Sequence, residues 1–372
     1  MAVLLVVACH TAKWDPRLGQ GPALQALLQG THGVDLFFVL SGFCLSYPIL
    51  RSLRLRGRVA FDIAGYMARR VVRILPPYYF AMVVLGLVLY VLPHFGWRVP
   101  ESFSLAKVGW LDVGKQVIFA DRRIEFLNPS FWTLAIEWRW YFLFPLALVL
   151  WTRSVRAFIF VLCACIIAAA ATSAGGFDLP VLPAFLMGVI AAEIELQKPA
   201  IGRLAILLFA LALCIAVYSA PNSMLGYFMQ VETGWQVAAF CLVLAVGSVP
   251  LLRAAFSIRP LAWVGVASYS IYLVHEPLVA TIEHNTAMSA FLVGALAVTA
   301  GTAFWAVFER PFMATSLKGR LVMFLHPHLS RFMGFVGIAP SVYVGSQSGT
   351  AFGAESPVEP KTVTEELIGL SL

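Results

Sequence analysis

The chain has 372 residues, of which 60% are apolar and only 12% charged, with a mean hydropathy of +0.84. A soluble globule carries about twice that share of charge, and a disordered chain far less apolar content, so both classes are excluded. What remains is an all-α, polytopic transmembrane helical bundle, whose net charge of +7 reads as loop topology rather than as nucleic-acid binding.

The first apolar stretch, Met1–Ala12, is too short to cross a bilayer, which takes about 20 residues. It lacks a basic n-region and a cleavage site, so it is expected to be the second half of a helix whose first half lies upstream. Gly33–Leu50 follows, with Asp35 near its start, and then Pro77–Trp97. Phe131–Trp151 carries Glu137 and Arg139. Ala157–Phe177, Leu179–Ala192, Leu204–Val231 and Thr233–Leu252 come next, then Pro260–Ile282 with His275 and Glu276, and last His284–Phe308. With the first helix this makes about ten spans. If the N-terminus is cytoplasmic, inner loops hold thirteen Lys and Arg and outer loops seven, so both termini are expected inside a plasma (inner) membrane. Residues 1–315 read as one transmembrane domain. Residues 316–372 read as a cytoplasmic tail, disordered from about 345, where Gly, Ser, Thr, Pro and Glu prevail. The six cysteines all lie in apolar stretches without a CxxC or Cys/His cluster. They read as small buried hydrophobes, and no metal site is expected.

Ionisable side chains inside spans are expensive, so their default reading is functional. His10 is either a general base or a buried histidine bonded to a backbone carbonyl. Glu137 and Arg139 are two residues apart and do not face each other on a helix, so each needs another partner, such as Asp35 for Arg139. The Trp138–Trp140 segment also fits an aromatic belt at the outer interface. Among the basic residues Arg51–Arg73, the first four read as a topology signal. Arg69, Arg70 and Arg73 read as a site for a phosphorylated ligand, with Arg70 and Arg73 on one helix face. Pro76 and Pro77 are expected to end their helix near Leu75.

Five blocks then appear in order: HGVDLFFVLSGFCLSY (32–47), ARRVVRILPPYYF (68–80), FWTLAIEWRWYFLFPL (131–146), SYSIYLVHEPL (268–278) and FERPF (308–312). Together they resemble the membrane-bound acyltransferase 3 family, in its stand-alone form without an SGNH hydrolase-like domain. The resemblance implies an integral membrane O-acyltransferase that moves an acyl group, usually acetyl, from cytoplasmic acyl-CoA to a hydroxyl of a carbohydrate or glycolipid. The family's first-helix histidine matches His10, while the basic residue eleven positions earlier would fall before Met1. Its RxxR pattern matches Arg70 and Arg73, and its glutamate matches Glu137. Arg139 stands where the family usually has glutamine.

The expected site follows from both lines. His10 is the base, with Asp35 or Glu137 to set its tautomer. Arg69, Arg70 and Arg73 hold the donor's phosphates, and His275 and Arg139 line the acceptor side. Acetyl-CoA enters as a substrate and no permanently bound cofactor is expected. The remaining partners are the acceptor and membrane lipid, without nucleic acid. A transporter or flippase would also place charges at mid-membrane, but it usually shows inverted repeats, and none is visible here. A lipid- or sterol-binding membrane protein without catalysis is the third reading.

Overall fold

Hydrocarbon leaves no water for the backbone, so an apolar chain must satisfy its amides within helices. The computed structural model, which describes residues 1–15, 17, 22–103, 105, 108–120, 127–172, 179–197, 201–218 and 231–344, follows that rule. Its helices begin with α1 (Ala2–Trp14), α2 (Pro22–Leu28), α3 (Gly33–Arg56), α4 (Ile63–Val91), α5 (Trp110–Val117) and α6 (Trp132–Arg153). They continue as α7 (Val155–Thr172), α8 (Leu182–Gln197), α9 (Gly202–Tyr218), α10 (Thr233–Ser248), α11 (Pro250–Phe256) and α12 (Arg259–Val266). The last are α13 (Ser268–Asn285), α14 (Ala290–Phe304), α15 (Arg310–Met313) and α16 (Thr315–Phe335). Two short strands, β1 (Val59–Asp62) and β2 (Ser341–Val344), form the sheet among the described residues.

The fold is an all-α membrane fold. Among the described residues four stretches are long and apolar enough to cross: Leu24–Arg56, Ile63–Phe95, Pro129–Arg153 and Ala290–Met313. The bent pair α10–α11 makes a fifth if it counts as one span. Ala2–Trp14, Val155–Ala169 and Leu204–Val217 are shorter apolar helices at places where spans were expected. Phe160 (73% exposed), Leu207 (66%) and Phe291 (82%) stand on helix exteriors, a surface suited to lipid rather than water.

Three expectations are corrected. Thr233–Leu252 is not one straight helix: Val249 is extended (φ −107°, ψ 112°) and the chain bends by 103° there. The ring of Pro250 disfavours helical geometry in the residue before it. Conversely, α4 runs through Pro76 and Pro77 instead of ending at Leu75. Prolines persist in membrane helices where neighbouring groups and local adjustments make up for the amide partners they remove, here those of the Val72 and Arg73 carbonyls; the next carbonyl, that of Ile74, accepts from the Tyr269 hydroxyl at 3.0 Å. Finally, only Cys9 and Cys241 are buried, whereas Cys44, Cys163 and Cys214 are exposed. An apolar thiol has no need of a protein core when the solvent is itself apolar. Residues 316–344 form α16 and β2, and the disorder expected from about 345 lies outside the described residues.

The chain sorts into two compact units. The first comprises Met1–Val34, Arg69–Trp140 and Phe256–Leu321. In it α1 packs on α13, α14, α2 and the 3-10 turn Gln29–His32. The turn comes close because Gly30 has no side chain: a Cβ there would lie 2.3 Å from the Leu5 carbonyl oxygen. Likewise a Cβ on Gly301 of α14 would lie 2.5 Å from Cα of Ile271 on α13. Small residues at such crossings are how membrane helices gain dispersion contacts without a hydrophobic drive. Pro277 interrupts the hydrogen bonding of α13 and frees the Leu273 carbonyl, to which Asn128 Nδ2 donates at 2.8 Å. Asn128 Oδ1 accepts from the Ser130 amide at 2.9 Å and so caps the 3-10 turn Pro129–Phe131. Arg17 donates to Asp15, Glu283 and the Ala287 and Met288 carbonyls, tying the end of α1 to the α13–α14 loop. That guanidinium holds the Asp15 carboxyl below the usual carboxylate range.

The second unit comprises Asp35–Ala68, Tyr141–Ala255 and Val322–Leu372, described to Val344. Here α3 crosses α8 where Gly42 meets Phe185 and Gly188 meets Val39, again without room for a Cβ. Strands β1 and β2 pair antiparallel, Val59 opposite Val344 and Asp62 opposite Ser341. Phe61 of β1 turns inward against Tyr66 and Phe144. Asp62 accepts from the Gly65 amide at 2.8 Å and faces His326 at 3.2 Å.

Candidate active site

The site is built on α13, where Ser270, Tyr272, His275 and Glu276 are buried. Charged and polar groups survive there because each has a partner inside the first unit. His275 Nδ1 lies 2.8 Å from the Tyr272 carbonyl, one turn back on its own helix. Its Nε2 lies 2.9 Å from Nδ1 of His10 on α1, with the two ring planes 7° apart. Glu276 Oε2 accepts from Ser130 Oγ at 2.6 Å and lies 3.7 Å from His10 Nδ1. The other Glu276 oxygen lies 3.6 Å from Lys13 Nζ. Tyr272 donates its hydroxyl to the Ser130 carbonyl at 3.0 Å and meets Thr133 Oγ1 at 2.7 Å. The Asn128 cap described above therefore fixes Ser130, and through it Glu276. His275 is fully buried, while His10 keeps 14% of its side chain open.

A second cluster gathers around the start of the same helix. Arg69, Arg70 and Arg73 lie half-buried on α4. Lys318 on α16 is held below the usual lysine range by burial and by the charges of Arg70, Arg73 and Arg69. Buried Glu309, in the π-helical turn Trp305–Glu309, accepts from Ser270 Oγ at 2.5 Å and lies within electrostatic reach of Arg73. Gathered guanidinium groups and an ammonium are suited to a phosphorylated ligand.

The structure thus joins His10 to His275, and groups Arg69, Arg70 and Arg73. Glu137 is half-buried within electrostatic reach of Tyr272. Arg139 donates Nε to the Ala135 carbonyl at 3.0 Å, with Trp138 half-buried and Trp140 buried beside it. Asp35 is buried and belongs to the second unit. Sequence reasoning flagged Glu276 as an ionisable group in a span but gave it no role, and it passed over Lys13, Ser130 and Lys318. Lys13 had a signal, since three residues after His10 it shares that helix face. Ser130 and Lys318 had none, because their partners lie far away in sequence.

A partly exposed imidazole beside a carboxylate can take and return a proton. A family model described as an acyltransferase domain matches residues 1–310. No curated protein and no solved structure matches the chain.

Proposed function

The chain belongs to the acyltransferase 3 family of membrane acyltransferases, and from that premise we propose that it carries an acyl group, acetyl in the first instance, from cytoplasmic acyl-CoA to a hydroxyl of a carbohydrate or glycolipid. The observation that carries this reading is His10: a partly open imidazole on an apolar helix, paired with buried His275 and 3.7 Å from Glu276. His10 takes the proton from the acceptor hydroxyl as its oxygen attacks the thioester carbonyl. Collapse of the tetrahedral intermediate breaks the C–S bond, and the proton returns from His10 to the departing thiolate. Arg69, Arg70, Arg73 and Lys318 hold the donor's phosphates, with Glu309 orienting Arg73. Glu137 and Arg139 serve the acceptor side along with His10, and Asp35 remains a candidate for the machinery.

The reading includes ten crossings of a plasma (inner) membrane, with the short apolar helices completed as spans, both termini cytoplasmic and residues 316–372 as a cytoplasmic segment. In support, the basic residues concentrate in the loops assigned inside. Membranes containing the protein, incubated with acetyl-CoA labelled in the acetyl group, are expected to transfer label to a glycan or glycolipid. A protein that leaves all label on coenzyme A or in water, with every candidate acceptor present, is not this enzyme.

A further inference from the structure

With both rings neutral, the hydrogen bonds around His10 admit one assignment of protons. The Tyr272 carbonyl can only accept, so His275 Nδ1, 2.8 Å away, carries the proton of the neutral ring. His275 Nε2 is then a lone pair. His10 Nδ1, 2.9 Å from it, must donate, and so carries the proton of the neutral His10 ring. The lone pair of His10 is left on Nε2, away from both the buried histidine and Glu276.

We propose that His275 and Glu276 are positioning residues for the base: His275 locks His10 in the Nδ1–H tautomer so that Nε2 is the atom that takes the acceptor's proton, and Glu276, pinned by Ser130, balances the imidazolium that forms. This rests on the acyl-transfer reading with His10 as base. In the step itself the acceptor O–H breaks, Nε2–H forms and the new C–O bond is made; the C–S bond then breaks and the sulfur takes the proton back. Through both halves Nδ1–H stays on His10 and moves nowhere. Free histidine side chains favour the opposite tautomer, with the proton on Nε2, so without His275 much of the protein would present a nitrogen that cannot act as a base.

Electrostatics point the same way. The groups near His10 are Lys13 on its own helix and His275 and Glu276 on α13. Helices α14 and α2, which also pack on α1, offer no titratable side chain, and the Gln29–His32 turn offers only His32. Glu276 is therefore the nearest group able to offset a positive His10, and it also offsets Lys13, which would otherwise oppose that charge. Aspartate or glutamate beside a catalytic histidine does the same work elsewhere by orientation and charge balance rather than by accepting the proton.

The test uses the full-length protein in nanodiscs, with His275→Ala, His275→Gln and Glu276→Gln. Histidine labelled with ¹⁵N reads tautomers directly by NMR, with His10→Ala identifying the His10 signals. His10 is expected as Nδ1–H in the unaltered protein and in His275→Gln, whose amide oxygen accepts from Nδ1, and mainly as Nε2–H in His275→Ala. In turnover, His275→Ala should lower kcat by about 10²-fold with donor KM unchanged, and His275→Gln should recover most of that loss. Glu276→Gln should move the acid limb of the pH–rate profile to lower pH. His10 found as Nε2–H in the unaltered protein overturns the proposal whatever the activity, and so does equal kcat for His275→Ala and the unaltered protein. Full turnover by His10→Ala would instead overturn the acyl-transfer role of His10 itself, leaving the tautomer measurement to stand alone.

Discussion

The two clusters that meet α13, at His275 and at Ser270, solve opposite problems. Around His10 and His275 polar groups meet in pairs: carbonyl to imidazole, imidazole to imidazole, hydroxyl to carboxylate, amide side chain to the carbonyl that Pro277 frees. Around Arg73 like charges are brought together, and Lys318 is depressed by burial and by them. Ser270, which holds Glu309, and His275 are five residues apart on the helix, about 7.5 Å of axial rise. On the proposed reading, the contrast is a division of labour within one unit. A base needs fixed geometry before its substrate arrives, because reorientation during reaction raises the barrier. An anion site tolerates a charge excess that the ligand neutralises on binding.

That contrast is broken most severely at His10. His10→Ala is expected to lower acyl transfer by about 10²- to 10⁴-fold, the usual loss when a general base is removed. Detergent melting should fall only modestly, as the buried His275 Nε2 loses its partner, and turnover within about tenfold of the unaltered protein would remove His10 as the base. Next in size is the scaffold of the fixed cluster. Asn128→Ala orphans the Leu273 carbonyl and uncaps the turn that carries Ser130, so it should destabilise by about 1–3 kcal/mol and lower kcat as well. An unchanged melting temperature with unchanged kcat would mean that the turn holds Ser130 without Asn128.

The charge-rich cluster should respond more gently and in KM rather than kcat. Arg73→Lys keeps the charge but loses the planar fork, so the apparent KM for acetyl-CoA should rise several-fold with acceptor KM unchanged. Arg51→Lys serves as the comparison, since Arg51 reads as a topology charge, and equal donor KM values for the two variants would reduce the cluster to a topology signal. The smallest effect concerns Lys318. Its pKa is lowered in the free protein, so it loses its charge at a lower pH than an ordinary lysine. Donor KM should therefore rise as pH climbs through that lowered pKa, and Lys318→Arg, which keeps its charge, should flatten the rise. An unaltered alkaline limb in Lys318→Arg would place Lys318 outside the donor site.

The membrane class, the all-α architecture and the family were legible in the residues themselves. Apolar length, sparse charge and five spaced blocks are local properties, and hydrocarbon permits few other folds. His10, His275 and the three arginines were also visible one at a time, since each is an ionisable residue in an apolar context or at its edge. Their relations were not. Local rules ended a helix at Pro76, through which it continues, and kept one straight at Pro250, where it bends. The partner of His10 lies 265 residues away, and Ser130 is 146 residues from the carboxylate it holds. No periodicity carries such separations. The sequence alone determined which side chains are too costly to bury without purpose. Only tertiary packing decided which of them meet, because a buried hydrogen bond depends on the close approach of helices, set here by glycines such as Gly30 and Gly301 rather than by the polar residues themselves.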